Sequence, residues 1–276
     1  IVKRRRLPYN TGAMASSQRA LLHALECEVR SCRLLALRYF RSSSLRIDRK
    51  SDRSPVTDAD RVIEERLRAF LRRACPGDTV VGEERGRTGT NPHTYWTVDP
   101  IDGTRAFSRG IPTWSILVAR VERGRPVLGL CDFPVLDLTL GVAPGVAAYE
   151  RAGRSVRRIA RPRAVRALSE MVILHGGSGW WRATRYAKRF DRLMQACYLE
   201  RSYGDAYGYL WALRGGADAV IDCGVKLWDM APLAALARAT GRTLVDFHRR
   251  PSFTGPEAVF GSPKAVRLVV KALQRP

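Results

Sequence analysis

Apolar residues recur at helical spacing between Gln18 and Phe40. Leu21, Leu22, Leu25, Val29, Leu34, Leu35, Leu37 and Phe40 predict an amphipathic helix that buries these side chains. A short strand is predicted around Arg46 to Arg49. Thr57 then has the chemistry of a helix N-cap, and the segment to Ala74 predicts a second helix with Val62, Leu67, Phe70 and Leu71 inward. Pro76-Gly77-Asp78 ends it, and Thr79 to Val81 predicts a short buried strand running into Gly82-Glu83-Glu84.

The middle of the chain changes period. Tyr95 to Asp99, Ser115 to Val121, Val127 to Phe133, Leu138 to Val142 and Val146 to Glu150 are apolar, β-branched runs separated by turn residues, a pattern that predicts a meander. The last part alternates. Strands are predicted at Met171 to Leu174, Ala217 to Asp222 and Ala258 to Phe260. Helices are predicted at Thr184 to Ala196, Ala206 to Arg214, Leu227 to Ala239 and Pro263 to Leu273. Such alternation implies stacked layers of helix and sheet in the α/β (α+β layered) class.

Composition refines this picture in three ways. The 276 residues suit one domain from 16 to 276, preceded by a basic lead over residues 1–15 that is expected to be disordered, with Met14 a candidate start. No apolar run is long enough to span a bilayer and the N-terminus lacks an apolar signal core, so no membrane association is expected. Six dispersed cysteines form no Cys-x-x-Cys pair, which suits reduced thiols and a cytoplasmic protein. Charge is the unusual feature: 48 Lys and Arg against 26 Asp and Glu give +22. Either this is arginine solvated over surface helices, or it is a field that draws in phosphorylated molecules and polyanions. No basic stripe with interleaved aromatics is present, so no specific nucleic-acid partner is expected.

The stretch Trp96-Thr97-Val98-Asp99-Pro100-Ile101-Asp102-Gly103-Thr104 carries chemistry. An apolar strand delivers two carboxylates, with the Ile101 carbonyl between them, into what could be one cavity. Hard oxygen donors in that number suit Mg²⁺. Peptide N–H groups at Gly103 and Thr104, opening a short helix or turn, can hold phosphate. The plainer reading is a capped turn with two surface aspartates. Glu83 and Glu84 leave a buried strand, where paired carboxylates call for cations. Asp229 opens an apolar helix, where it could cap, ligate, or do both.

Together, Gly82-Glu83-Glu84, Asp99-Pro100-Ile101-Asp102-Gly103-Thr104 and Trp228-Asp229-Met230-Ala231 resemble the signature of the inositol-monophosphatase superfamily, and Ser54-Pro55-Val56-Thr57-Asp58-Ala59-Asp60 resembles its upstream segment. The resemblance spans Leu21 to Leu273. It implies an αβαβα sandwich of the inositol monophosphatase / sugar phosphatase fold, lithium-sensitive hydrolysis of phosphomonoesters with two or three Mg²⁺ ions, and a homodimer. By the same resemblance Glu83, Asp99, Asp102 and Asp229 ligate metal through side chains and Ile101 through its carbonyl. Thr104 pairs with Glu83 on the attacking water, Asp60 holds outer metal waters, and Lys50 lies near that site.

Two further features resemble the family's histidinol-phosphatases: Arg109-Gly110-Ile111-Pro112-Thr113-Trp114, and the pair Gly204-Asp205-Ala206-Tyr207-Gly208-Tyr209 with Asp222-Cys223-Gly224-Val225-Lys226. Histidinol phosphate carries an ammonium and an imidazole that Asp205 and Asp222 could pair with, whereas inositol offers hydroxyls. Asp205 could instead simply cap the helix beginning at Ala206. Alternatives are an inositol-1-monophosphatase, another sugar or nucleotide phosphatase, or a nucleic-acid-binding protein on a degenerate phosphatase fold. Thr240-Gly241-Arg242 departs from the family's small-Gly-Gly turn.

Overall fold

A computed structural model describes residues 11–51 and 53–274, with side chains from Ser17 onward. The greater part of the expected basic lead lies outside the described residues. Helix α1 (Thr11–Tyr39) already begins at Thr11, earlier than the apolar periodicity predicts.

The chain builds five layers. Helices α1 and α2 (Asp58–Ala74) cover one face of an eight-stranded sheet. That sheet contains β3 (Thr79–Gly82), β4 (Gly86–Thr88), β5 (Thr94–Asp102), β6 (Ser115–Glu122), β7 (Arg125–Phe133), β8 (Leu138–Ala143), β9 (Val146–Ala152) and β10 (Ser155–Arg158). Its order is β10-β9-β8-β7-β6-β5-β3-β4, an antiparallel meander except where β3 runs parallel to β5. A separate hairpin, β1 (Ile47–Arg49) and β2 (Pro55–Thr57), precedes α2.

On the other face lie α6 (Asp205–Arg214) and α7 (Leu227–Thr240), sandwiched against a five-stranded sheet. This second sheet has the order β12-β11-β13-β15-β14, from β11 (Val172–His175), β12 (Leu199–Ser202), β13 (Ala219–Cys223), β14 (Thr243–Val245) and β15 (Glu257–Gly261). Its outer face is closed by α5 (Ala187–Ala196) and α8 (Pro263–Gln274). Two short helices, α3 (Thr104–Phe107) and α4 (Ser178–Arg182), follow β5 and β11. The architecture is the expected αβαβα sandwich.

Each helix takes its place through its apolar face, but the faces are turned slightly from the sequence expectation. In α1 the inward residues are Leu22, Leu25, Val29, Cys32 and Ala36, while Leu34 is 64% exposed. In α2 Ile63 is buried and Val62 is 41% exposed. Small side chains at positions 32 and 36 let the helix approach the sheet closely, a preference that counting large apolar residues does not reveal. Buried Arg33 of α1 reaches across to the sheet, where its Nε donates to Asp132 at 3.0 Å and Nη2 to Thr139 at 2.9 Å, so this buried charge is paired. The missed strands β2, β4, β10, β12 and β14 have three or four residues each, too few to show a period.

Candidate metal centre and active-site cleft

Side chains three apart in a regular strand point to opposite faces of the sheet. Asp99 and Asp102 nonetheless share one cavity, because the pairing of β5 with β6 slips between them. Asp99 sits opposite Leu117 and Asp102 opposite Ser115, so three steps on β5 match two on β6. The extra residue turns the second carboxylate back to the side of the first. The two aspartates are therefore carried by a bulge inside one continuous strand and not by a capped turn at the surface.

Asp229 joins them from α7. Carboxylate oxygens of Asp99, Asp102 and Asp229 lie within 4.8 Å of one another, the one such acidic group among the described residues. Asp229 is also a helix-start residue, since its Oδ2 accepts the Lys226 N–H at 2.7 Å. The capping and site readings of this residue are thus compatible. Burial raises Asp99, and Glu83 and Asp102 push it further. Burial likewise raises Asp102, with Asp205 and Asp229 adding to it, and lifts Asp229 to about 7. A largely buried cluster of three acidic groups whose charges oppose each other is a donor set that a divalent cation would satisfy. The residues present therefore fit the metal that the motif implies.

Glu83 stands outside this tight group. It follows β3, and its Oε1 accepts from Lys50 Nζ at 2.7 Å, while the same ammonium bonds Glu84 Oε1 at 2.7 Å. Lys50 thus lies against the expected ligand itself, held there by the turn of the β1–β2 hairpin. Burial lifts Glu84 to about 7 despite this partner.

Thr104 follows Gly103 at the start of α3. Its hydroxyl lies 2.9 Å from the Ile101 carbonyl and 3.2 Å from Asp60 Oδ1, two acceptors for one hydrogen. Asp60 is the third residue of α2, where its Oδ2 accepts the Thr57 N–H at 2.8 Å in a reciprocal capping box. Burial raises Asp60 to about 6. Gly103 adopts φ +87°, and a Cβ there would meet Asp205 Oδ2 at 3.1 Å, so glycine is required before α3.

A cleft of 440 Å³ opens beside the cluster, lined among others by Asp102, Arg105, Trp180, Asp205, Tyr209 and Asp222. Asp205 starts α6 at φ +57° and makes no side-chain cap. The Ala206 N–H is accepted instead by Asp102 Oδ2 at 2.8 Å, which corrects the helix-cap reading of Asp205. Asp222, at the end of β13, is buried and pushed up to about 8 by burial and then by Asp205. The buried Tyr209 hydroxyl faces it without a partner in hydrogen-bonding geometry. His175 is a strand-end residue bonded to Glu200 at 2.7 Å, outside the cluster.

Sequence reasoning missed Ser115, whose hydroxyl donates to Asp102 Oδ2 at 2.8 Å. It also missed Arg105 and Trp180, which meet at the cleft mouth with the guanidinium 5.8 Å from the ring centre. Trp180 is 56% exposed, on a helix whose Gly176-Gly177-Ser178-Gly179 approach was the available signal.

Comparison with known proteins decides the family. The profile of the inositol monophosphatase family matches residues 19–274. The chain belongs to the inositol monophosphatase family. It is a phosphatase, a hydrolase of that family. A histidinol-phosphatase of Mycobacterium tuberculosis is 36% identical over 225 residues, covering 81% of this chain and 86% of its own. A histidinol-phosphatase of Streptomyces coelicolor is 33% identical over 218 residues, covering 77% of this chain and 81% of its own. Among solved structures, an inositol monophosphatase from Zymomonas mobilis superimposes with a TM-score of 0.77 at 26% identity, covering 97% of this chain and 100% of that one. No helix among the described residues is long and apolar enough to cross a membrane.

Proposed function

We propose that this family member is a Mg²⁺-dependent phosphomonoesterase acting on histidinol phosphate to give histidinol and inorganic phosphate. The observation that carries the metal chemistry is the largely buried cluster of Asp99, Asp102 and Asp229. Similarity to two histidinol-phosphatases and the acidic lining of the cleft support the substrate.

Asp99, Asp102 and Asp229, with Glu83 and the Ile101 carbonyl beside them, would hold the cations. Divalent ions bound there supply a Lewis acid that withdraws charge from the phosphoryl group and makes a water acidic enough to attack. The remaining work falls to the chain. N–H groups at Gly103 and Thr104, at the start of α3, orient the phosphoryl oxygens. The Thr104 hydroxyl takes a proton from the attacking water as it passes its own to Asp60 Oδ1, the acceptor 3.2 Å away. Asp60, lifted to about 6, is matched to this task near neutral pH. Lys50 balances Glu83 and Glu84. On the leaving-group side, Asp205 and Asp222 face the cleft, where an ammonium would offset the burial that otherwise favours their protonated forms.

The test is phosphate release from a panel of histidinol phosphate, inositol-1-phosphate, fructose-1,6-bisphosphate and 3′-phosphoadenosine 5′-phosphate, with Mg²⁺ and with EDTA. The reading requires the highest kcat/KM on histidinol phosphate and none in EDTA. Turnover in excess EDTA would end the metal reading, and preference for another ester would end the substrate assignment alone.

A further inference from the structure

Helix α2 carries a second carboxylate on the face that holds Asp60, one turn further on. Glu64 is fully buried. Its Oε2 accepts the Glu84 N–H at 2.7 Å and its Oε1 accepts the Arg85 N–H at 3.0 Å. These are the two peptide groups that directly follow Glu83. Buried Arg68 supplies the counter-charge, its Nε donating to Glu64 Oε1 at 2.7 Å. Its remaining nitrogens donate to the Thr88 hydroxyl at 2.9 Å, the Gly86 carbonyl at 2.5 Å and the Val80 carbonyl at 3.4 Å. Arg68 therefore spans the β3–β4 hairpin while Glu64 holds the turn between its strands.

The approach is tight. A Cβ at Gly82 would fall 2.3 Å from Glu64 Oε1, so only glycine lets β3 end against this carboxylate. Net stability does not account for such a pair, because apolar residues of similar volume commonly stabilise a core as well or better than a buried ion pair. Its geometric result is specific. Glu83 alone among the expected side-chain ligands sits on a turn outside any helix or strand. Without Glu64, two adjacent N–H groups lose their acceptor and the turn loses its anchor to α2.

We infer that Glu64 is a positioning residue for the metal centre: through the Glu84 and Arg85 amides it fixes the turn that presents Glu83, touching neither cation nor substrate. Asp60 and Glu64 thereby make one helix face the common support of the Thr104 side and the Glu83 side of the site. This inference rests on the metal-dependent reading above.

The test titrates MgCl₂ into EDTA-stripped protein, followed by calorimetry and by the Mg²⁺-dependent rise in Tm. Glu64→Gln keeps the shape but loses the charge opposite Arg68 and one of the two amide acceptors. It should weaken Mg²⁺ binding by about tenfold, as loss of a support behind a ligand does. Saturating Mg²⁺ should restore kcat towards wild type, with the substrate KM unchanged there. Arg68→Lys, which keeps a cation beside Glu64 but cannot span the hairpin, should weaken Mg²⁺ in the same direction and serves if Glu64→Gln fails to fold. Leu67→Ala, in the core of the same helix, should lower the metal-free Tm and leave Mg²⁺ affinity at the wild-type value. Wild-type Mg²⁺ affinity in both Glu64→Gln and Arg68→Lys, or a fall in Tm alone, overturns the inference and leaves the metal reading intact. A wild-type protein without any response to Mg²⁺ overturns both.

Discussion

The N–H of Ala206 donates to Oδ2 of Asp102 across 2.8 Å, and this bond ties the first turn of α6 to the end of β5. The same oxygen accepts from the Ser115 hydroxyl, so one carboxylate of the acidic cluster is already oriented by two donors. Donors of this kind hold a ligand in place before any cation arrives. They also link the cluster to Asp205, the residue just before Ala206, on the wall of the neighbouring cleft.

Asp102→Asn is therefore expected to abolish catalysis while sparing the fold. The amide oxygen can still accept from Ala206 or Ser115, but one negative charge leaves a cluster whose members repel each other. Turnover should fall by about a thousandfold, the order expected when the principal electrostatic support of a transition state is removed. The Tm of the metal-free protein should stay level or rise. Near wild-type turnover in a phosphate-release assay would show that Asp102 does not hold the metal.

The proton route makes a graded prediction at Thr104. Thr104→Ala removes the hydroxyl between the water and Asp60 and should lower kcat by about a hundredfold to a thousandfold, with Thr104→Ser within about tenfold of wild type. Asp60→Asn should resemble the alanine variant. A fast Thr104→Ala enzyme would mean that the hydroxyl only supports the Ile101 carbonyl, its other neighbour at 2.9 Å.

The other carboxylates of the candidate site were legible because each ends or begins an apolar run. Glu83 follows Val80-Val81-Gly82, Asp99 follows Trp96-Thr97-Val98, and Asp229 precedes Met230-Ala231. What supports them was not legible. Ser115, Glu64 and Arg68 meet their partners through strand register and helix packing, which no local pattern encodes. The contact of the Thr104 hydroxyl with Asp60 was hidden for the same reason, since only the packing of α2 brings Asp60 to it. The bulge between Asp99 and Asp102 has a sequence trace in Pro100, but only the register against Leu117 and Ser115 shows its effect.

Stability of the stripped protein should depend on pH in an inverted sense. Asp229 is lifted to about 7 and Asp222 to about 8, and Asp99 and Asp102 are raised too. Between the ordinary carboxylate range near about 4 and these values, the folded state binds more protons than the unfolded state. The unfolding free energy must then fall as pH rises. In EDTA, Tm should be highest near about pH 5 and lower by several degrees near about pH 8. Mg²⁺ should raise Tm most at the alkaline end, where the carboxylates are charged and free to bind it. A Tm in EDTA that is flat or rises over this range would show that the cluster is not under mutual repulsion.

Specificity is the last expectation, and it turns on Asp222. Its carboxylate is buried at the wall of the cleft, beside the Tyr209 hydroxyl, and it lies outside the group formed by Asp99, Asp102 and Asp229. If it recognises the positive charge of histidinol, Asp222→Asn should weaken histidinol phosphate far more than a neutral ester. A charge-assisted hydrogen bond is worth about 1.5–3 kcal/mol, so kcat/KM on histidinol phosphate should drop by roughly tenfold to a hundredfold. Hydrolysis of inositol-1-phosphate or a simple aryl phosphate should stay near its original rate, because the metal chemistry is unaltered. The Mg²⁺ dependence of the variant provides the control. Equal loss on charged and neutral esters, with weaker Mg²⁺ activation, would assign Asp222 to support of the neighbouring Asp229. Equal loss with unchanged Mg²⁺ activation would assign it to the fold of the cleft. Selective loss on the cationic ester is the outcome that recognition of histidinol requires.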